Sequence, residues 1–481
     1  MEMINVCVII GSVLGVYLFV RKLNEILYLF KLGKKVYKSL PPGDLGWPII
    51  GSSLSFYKAF KAGGDLQSVI SHLLSRNGRV GIYKSHIYGS PTIIVTDPKI
   101  CRRIYLDEEK FKEGYPKSVK IFGGDGNFTK IDHKIGYRIM ASPMNGYEVL
   151  SNYVDFIEQI MSKGLEEWSS MREPIGLLDE IGYLFFKVVL HIFLGSQLDA
   201  QTMAELYALF KEMGLAILTI FPFDLPGFTF HKALEARRKI RNILHCVIEE
   251  KRRRLENKKT SEVHCEVDKL IVATDENGTR LYDNITIIDM LLAICFGGLS
   301  SPSNATMWAL LHISQNPHIL QKAKEEQESI IRQRPSTQKG LTYKEIKQMK
   351  YITKIINEVL RRNTMSAAFR KAKETSNING YTIPKGWTVQ IWGTAIHMDP
   401  QIYSNPQEFD PSRWDNYTPK PGEFIPFGIG SRFCPGSELA KLEIAILLHH
   451  FILNYKMECC ITHLPSPKPV DNYLYRIIKL P

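Results

Sequence analysis

One glycine-rich loop near the C-terminus constrains the fold of this chain more than any other feature. The loop, residues 424–436, reads FIPFGIGSRFCPG and contains a single cysteine, Cys434. A helical pattern follows at once, from residue 437 to residue 451. The cysteine therefore precedes a helix N-terminus, where unpaired N–H groups and the helix dipole favour a thiolate. A thiolate held in an apolar loop suits the axial position of a haem iron and favours cleavage of the O–O bond of dioxygen.

The same loop resembles the haem-binding signature of the cytochromes P-450, the haem-thiolate monooxygenases. Phe427, the loop glycines, Cys434 and Gly436 carry the resemblance. It implies that Cys434 is the metal ligand, and that Phe427, Arg432 and Gly436 belong to the cofactor-binding loop. The alternative is a buried structural cysteine in a Gly/Pro turn, which a signature of this length disfavours.

Composition restricts the partners of the chain. The chain has 481 residues and a net charge of +12, which favours an anionic membrane surface or an acidic protein partner. The sequence contains no zinc-finger spacing and no RNA-recognition string, so nucleic acid is not expected. The eight cysteines are scattered without a CxxC motif, which is typical of a reducing compartment rather than of a disulfide framework.

The N-terminus predicts a membrane anchor. Residues 3–20 are apolar and uncharged, and as a helix they span about 27 Å, just enough for a bilayer core. Basic residues follow them, which places the body of the chain in the cytosol. A cleaved signal peptide is the alternative, but its charges usually come first. We therefore expect a signal anchor over 1–20, a basic and Pro-rich linker over 21–50, and a haem-thiolate monooxygenase domain over 51–481.

The resemblance implies a mainly α-helical fold with small β-sheets, and the apolar spacing indicates several of its elements. The pattern indicates a hairpin over 79–95, a long buried helix over 285–314, and a second hairpin over 378–389 with an Asn-Gly turn. A capping box at Thr342 predicts one helix that runs on to Arg361.

The resemblance assigns further residues around the cofactor. His133, Arg138, Arg370 and Arg432 correspond to groups that bind the haem propionates, although Tyr137 stands at the spacing after His133 where the family often has an arginine. For His133 and Arg138 the alternative is a solvated helix face.

Three further residues match a structural motif of the family. Glu358 and Arg361 match its Glu-x-x-Arg motif, which pairs with a later arginine, here Arg413, to form a scaffold beneath the haem. The alternative is an ordinary surface salt bridge.

The long apolar helix resembles the oxygen-activating helix of the family. Gly297 and Gly298 match the small pair at its kink, and Gly298, Ser300 and Ser301 are the predicted oxygen-handling residues. The family's acid position falls on Ser300 and its threonine position on Pro302, which is the main departure from the pattern.

Several longer strings resemble plant terpenoid oxidases of the kaurenoic acid oxidase and β-amyrin 11-oxidase group. That resemblance implies a haem b enzyme of the endoplasmic reticulum that oxidises a C–H bond of a terpenoid ring skeleton, a triterpenoid more than a diterpenoid. The chain carries no flavin domain, so NADPH–cytochrome P-450 reductase is the expected electron donor. Two alternatives are a haem-thiolate rearrangement enzyme that needs neither O2 nor reductase, and a haem-binding protein without turnover.

Overall fold

The computed structural model describes residues 2–30, 32–48, 50–55, 66–121, 133–195, 198–219, 222–257, 263–363, 367–459 and 474–480. Within these ranges the chain is mainly helical, as predicted. The helices are α1 (Glu2–Leu29), α2 (Lys34–Lys38), α3 (Leu66–Asn77), α4 (Pro98–Leu106), α5 (Lys117–Lys120), α6 (His133–Ala141), α7 (Tyr147–Ser151), α8 (Val154–Ser170), α9 (Leu177–Leu194), α10 (Ala200–Gly214), α11 (Thr229–Asn257), α12 (Glu266–Val272), α13 (Asn284–Gln315), α14 (Pro317–Arg332), α15 (Tyr343–Gln348), α16 (Lys350–Asn363), α17 (Gly393–His397) and α18 (Ser437–Asn454).

The strands form small sheets beside the helices. They are β1 (Ile82–Ile87), β2 (Ser90–Val95), β3 (Phe111–Glu113), β4 (Ile175–Gly176), β5 (Ala367–Ala372), β6 (Ser376–Ile378), β7 (Tyr381–Ile383), β8 (Thr388–Trp392), β9 (Tyr455–Cys459) and β10 (Leu474–Lys479). The largest sheet has the order β1-β2-β8-β5-β3, a second has the order β4-β10-β9, and β6 pairs with β7.

Both hairpins predicted from the sequence are present. β1 and β2 pair antiparallel, and β6 pairs antiparallel with β7. Asn379 and Gly380 join β6 to β7 with φ angles of 51° and 83°, which is the left-handed turn that an Asn-Gly pair favours. The second hairpin ends at Ile383, because β8 leaves it and joins the large sheet parallel to β2.

Helix α13 runs through the largest hydrophobic core and contacts α9, α11, α16 and α18. By length and composition alone this helix could cross a membrane, since its most apolar window has a mean hydropathy of 1.7. However, 61% of that window is buried inside the protein. Its apolar character therefore reflects packing in the core.

The helix predicted from Thr342 to Arg361 is two helices. Thr342 and Glu345 form the predicted capping box, but α15 ends at Gln348 and α16 starts at Lys350. The Glu326 carboxylate accepts the backbone N–H groups of Tyr351 at 2.6 Å and of Ile352 at 3.1 Å. A side chain distant in sequence thus caps α16 and allows the chain to turn at residue 349.

Helix α1 continues past residue 20, where the anchor was predicted to end, to Leu29. The amide of Asn24, which is 2% exposed, donates to the carbonyls of Leu45 at 3.0 Å and Trp47 at 2.5 Å. Leu29 and Leu45 both join the core that covers the large sheet. Part of the predicted linker therefore packs against the body of the protein.

Candidate active site

The loop before α18 holds Cys434 in a defined backbone turn. Gly428 and Gly430 adopt φ angles of 75° and 77°, a region that residues with a Cβ rarely enter. A Cβ on Gly430 would also meet Leu106 Cδ2 at 2.9 Å. The backbone N–H of Cys434 donates to the carbonyl of Phe427 at 2.8 Å, so Phe427 closes the loop around the cysteine.

Cys434 is half-buried and lies just ahead of α18, as the sequence predicts. Burial raises the pKa of its thiol, while the backbone N–H of Gly436 and the ammonium of Lys441 oppose that rise. The expected thiolate therefore does not arise from the helix N-terminus alone, because the apolar surroundings outweigh it. Coordination to a metal cation removes the thiol proton directly, so this environment is compatible with a ligand sulfur.

Two arginines meet beside the cysteine loop. Arg370 on β5 is 4% exposed, and its described acceptor is the carbonyl of Phe369 at 3.2 Å. Burial lowers the pKa of Arg370, and the nearby Arg432 guanidinium lowers it further. Arg432 pairs with the carboxylate of Glu113. Two neighbouring guanidinium groups, one of them buried, form a site suited to a ligand with carboxylates.

These features fit a haem. The soft sulfur of Cys434 suits an iron ligand, and Arg370 and Arg432 suit the propionates. Among the residues that the structure describes, no cluster of three or more His, Cys, Asp or Glu side chains could hold a bare metal ion.

The structure gives less support to the two propionate ligands predicted on α6 than to Arg370 and Arg432. Arg138 is exposed, and the side chain of His133 lies outside the described residues. Tyr137 is half-buried and close enough to Cys434 for a charge on the sulfur to raise the pKa of the phenol, although burial is the larger cause. Sequence reasoning passed over Tyr137, even though it stands four places after His133 on the same helix face.

The structure brings Glu358, Arg361 and Arg413 together. Arg361 forms a two-pronged pair with Glu358, with N–O distances of 2.7 Å and 2.9 Å, and both side chains are fully buried. Arg413 Nε lies 3.4 Å from Glu358 Oε1. This cluster is therefore an internal structural element and not a surface salt bridge.

Further bonds complete this cluster. Trp414 Nε1 donates to Glu358 at 3.0 Å, and the backbone N–H of Asp410 donates to it at 3.2 Å. Arg361 also donates to the carbonyls of His397 at 2.8 Å and Pro406 at 2.9 Å. Each charged group thus has several partners, which a buried ion pair requires. Sequence reasoning did not foresee Trp414, which follows Arg413 directly in the chain.

Helix α13 has two different sides next to its glycine pair. A Cβ on Gly298 would meet Val189 Cγ2 of α9 at 2.6 Å, whereas a Cβ on Gly297 would meet nothing within 4 Å. Gly298, predicted to handle oxygen, therefore allows close packing against α9. The side of α13 that carries Gly297 is its open side.

The structure places Pro302 and the two serines before it on different sides of α13. Pro302 is buried, whereas Ser301 is exposed and stands one turn after Gly297, on the open side of α13. Ser300 is half-buried beside Ser301. The open side therefore carries the hydroxyl of Ser301, one residue after Ser300, where the family pattern has its acid.

Several polar side chains near Pro302 bond back to the helix. Asn304 Nδ2 donates to the carbonyl of Ser300 at 2.8 Å, and Thr306 Oγ1 donates to that of Pro302 at 2.8 Å. Ser300 Oγ lies 3.4 Å from the carbonyl of Phe296. Because Pro302 has no N–H, the carbonyl of Gly298 lacks its usual donor four residues along. Such features loosen a helix locally.

Known proteins resemble this chain over its whole length. It is 45% identical to the β-amyrin 11-oxidase of Glycyrrhiza uralensis, with 100% of this chain and 99% of the relative covered. It is 45% identical to a 7,8-epoxymelianol synthase of Citrus sinensis (98% and 97% covered) and 43% identical to ent-kaurenoic acid oxidase 2 of Arabidopsis thaliana (97% and 96% covered).

The fold has a counterpart among solved structures. The retinoic acid-bound cyanobacterial CYP120A1 matches with a TM-score of 0.79 and 24% identity, covering 92% of this chain and 99% of that one. The family model for cytochrome P-450 matches residues 41–478. With the cysteine loop, the buried Glu358 cluster and the central helix in place, these matches show that the chain is a member of the cytochrome P-450 monooxygenase family.

Proposed function

We propose that this enzyme oxidises a C–H bond of a terpenoid ring skeleton, a triterpenoid more than a diterpenoid, with O2 and electrons from NADPH. The single observation that carries the proposal is the half-buried Cys434 in a loop whose Arg432 lies near the buried Arg370, in a chain that matches terpenoid-oxidising relatives over its whole length. One relative, matched over 100% of this chain, is named for oxidation of β-amyrin, a triterpenoid. The diterpenoid alternative rests on the ent-kaurenoic acid oxidases, which are slightly less similar.

Each site residue has a distinct role in this proposal. Haem b, when bound, supplies oxygen activation and the insertion of an oxygen atom into the C–H bond. Cys434 ligates the iron, and Arg370 and Arg432 hold the propionates. The Glu358 cluster keeps the segment from Pro406 to Trp414 fixed beneath the cysteine loop.

The open side of α13 handles protons. Ser301 presents a hydroxyl that donates and accepts hydrogen bonds, and Ser300 offers a second one beside it. Together they hold water that delivers protons during oxygen cleavage. A hydroxyl pair without a carboxylate has no charged group to drive proton transfer. We therefore expect an active monooxygenase in which some NADPH is consumed without product.

The rearrangement alternative rests on Ser300 and Pro302, which replace the acid and the alcohol of the family pattern. Pro302 is buried, whereas Ser301 is exposed and offers a hydroxyl on the open side. No carboxylate stands at position 300, so this alternative stays open beside that of a haem-binding protein without turnover. Product analysis separates both from a monooxygenase.

Product analysis in reconstituted membranes tests the proposal. The full chain and NADPH–cytochrome P-450 reductase are co-expressed in yeast. Membranes isolated from these cells receive triterpenoid and diterpenoid skeletons with and without NADPH. We expect an NADPH-dependent product that carries an added oxygen on the ring skeleton, and no product from Cys434→Ala. Conversion of a hydroperoxide without NADPH or reductase, and no NADPH-dependent product, would instead establish the rearrangement reading.

We further propose that residues 1–20 anchor the enzyme in the endoplasmic reticulum membrane with its body in the cytosol. The described part of this segment presents Val13, Val16 and Phe19 to the outside, each at least 60% exposed. Lipid would cover such side chains. Protease added to intact microsomes should digest the body. Protection of the body, or glycans on the Asn-x-Ser/Thr sites, would reverse the topology.

A further inference from the structure

A buried lysine–cysteine pair lies outside the candidate active site, near the junction of α11 and α12. Lys251 Nζ on α11 lies 3.4 Å from Sγ of Cys265, the residue that precedes α12. Lys251 is 2% exposed and Cys265 is 5% exposed. The two reactive atoms therefore face each other in a site from which bulk water is excluded.

A buried carboxylate beside this pair has partners of its own. The Asp268 carboxylate, which is fully buried, lies 3.1 Å from Lys251 Nζ. It also lies 3.3 Å from Arg254 and accepts the backbone N–H of His264 at 3.1 Å. Removing the only partner of a buried charge is strongly destabilising. Asp268 keeps Arg254 and the backbone N–H of His264 when the Lys251 nitrogen is bonded to another atom, so this penalty does not arise here.

We propose that Lys251 and Cys265 form a covalent nitrogen–oxygen–sulfur bridge that links α11 to α12 under oxidising conditions. The oxidant is dioxygen, the co-substrate of monooxygenases. The S–H bond, two N–H bonds of the ammonium group and the O–O bond break. An S–O bond, an O–N bond and the two O–H bonds of one water form, and one proton leaves to solvent. Sulfur and nitrogen lose two electrons each, which matches the four electrons that dioxygen accepts.

The bridge acts on a helix that spans the molecule. α11 packs against the central helix α13 and against α12. A covalent link between residues 251 and 265 closes a loop in the unfolded chain, which lowers its entropy and stabilises the folded state. Oxidation should therefore hold the C-terminal end of α11 against α12, and reduction should release it.

Peptide mass spectrometry of the haem-loaded full chain tests the proposal. Air-equilibrated and dithiothreitol-treated samples are denatured, alkylated and digested with trypsin. Trypsin does not cleave after a modified lysine, so in the oxidised sample we expect the Cys265 peptide to be joined to a Lys251 peptide that extends to Arg252. The mass of the joined product should lie about 14 Da above the sum of these two peptides, because one oxygen is gained and two hydrogens are lost. Dithiothreitol should restore the separate peptides and lower the midpoint of thermal unfolding.

Two variants and a matched control complete the experiment. Cys265→Ser and Lys251→Arg keep a hydrogen-bonding group but should abolish the linked peptide. Cys246→Ser removes an exposed cysteine of the same helix and should leave the linked peptide unchanged. The reduced CO spectrum verifies that each variant is folded. Separate Lys251 and Cys265 peptides in air-equilibrated wild type, or a gain of about 16 or 32 Da on Cys265 alone, would overturn the proposal.

Discussion

The two sides of the candidate site differ in how completely their polar groups are bonded. On the side of the cysteine loop, the Glu358 carboxylate contacts two arginines, an indole N–H and a backbone N–H. On the side of α13, a proline interrupts the helix, and nearby side chains bond back to helix carbonyls. The groups of the first side are each held by several hydrogen bonds, whereas the second side lacks one backbone hydrogen bond because Pro302 has no N–H.

This difference fits the separate tasks that we propose for the two sides. A cofactor scaffold must hold one geometry, so each of its groups is bonded to several others. The side of α13 that we propose handles oxygen would have to admit substrate, water and protons, and Gly297 and Ser301 lie open there. We therefore expect substitutions on the loop side to affect stability and cofactor content, and substitutions on the open side of α13 to affect the yield of product.

The largest expected effect comes from removing the shared carboxylate of the loop side. Glu358→Ala leaves Arg361 buried without its counter-ion, which should cost about 3–5 kcal/mol of unfolding free energy. We expect little haem-loaded protein, measured as haem per polypeptide. Glu408→Ala is the matched control, because its exposed side chain lies beside the same cluster. Equal holoprotein yields from the two variants would contradict the structural role of Glu358.

Acid should weaken the loop side next. Burial lowers the pKa of His397 and of His449 to about 3. Both imidazoles are neutral in the folded protein, whereas in the unfolded chain each becomes charged below a pKa near 6.5. The stability that the two neutral imidazoles contribute to the fold is therefore complete above about pH 6.5, and it is lost as the pH falls toward 3. At pH 5 each histidine should lower the free energy of unfolding by about 2 kcal/mol.

Denaturant unfolding at pH 7 and pH 5 measures this effect. His449 Nδ1 donates to Gln327 Oε1 at 2.8 Å, so His449→Gln keeps a hydrogen-bonding group in place but cannot titrate. The variant should lose less stability than wild type between the two pH values. An identical loss in both proteins would show that His449 does not titrate in this range.

A matched pair of glycine substitutions compares the two faces of α13. Gly298→Ala places a Cβ 2.6 Å from Val189 Cγ2, and the stiff β-branched side chain should make this cost about 1–3 kcal/mol. Gly297→Ala meets open space and should stabilise the helix by about 0.5–1 kcal/mol. Midpoints of thermal unfolding of the two proteins should move in opposite directions, and a shift in the same direction would refute this assignment of the faces.

The smallest effect on stability, and the most specific effect on chemistry, is expected from Ser301. Ser301→Ala should lower product formed per NADPH by up to about 100-fold, because a positioned proton-transfer group is lost. The CO spectrum and stability should stay unchanged. Pro302→Ala restores a helix N–H and should raise stability by up to about 3 kcal/mol, with product per NADPH unchanged. Unchanged product per NADPH in Ser301→Ala, together with lower product per NADPH in Pro302→Ala, would instead assign the alcohol position to Pro302.

The sequence predicts the loop side well because its motifs are local or nearly so. The glycines that shape the turn lie within a few residues of Cys434, and Glu358 and Arg361 share one helix face. The capping box at Thr342 is also visible from spacing alone. Residue spacing does not predict where that helix ends, because Glu326 caps α16 from a distant part of the chain.

The open side of α13 was harder to predict for a related reason. A family pattern placed the threonine position on Pro302, but only the packing of Gly298 against Val189 shows which face of the helix is covered. Burial, which raises the pKa of the Cys434 thiol, likewise depends on contacts that lie far apart in sequence. Long-range packing, rather than local propensity, decides these points.

The CO complex of the reduced protein tests the central claim, that the Cys434 sulfur ligates a haem iron, most directly. Wild type and Cys295→Ala, which removes a buried cysteine of α13, should both show the red-shifted Soret band of a thiolate-ligated haem. Cys434→Ala should lose that band, with far-UV circular dichroism confirming that it is folded. Survival of the red-shifted band in folded Cys434→Ala would contradict the account.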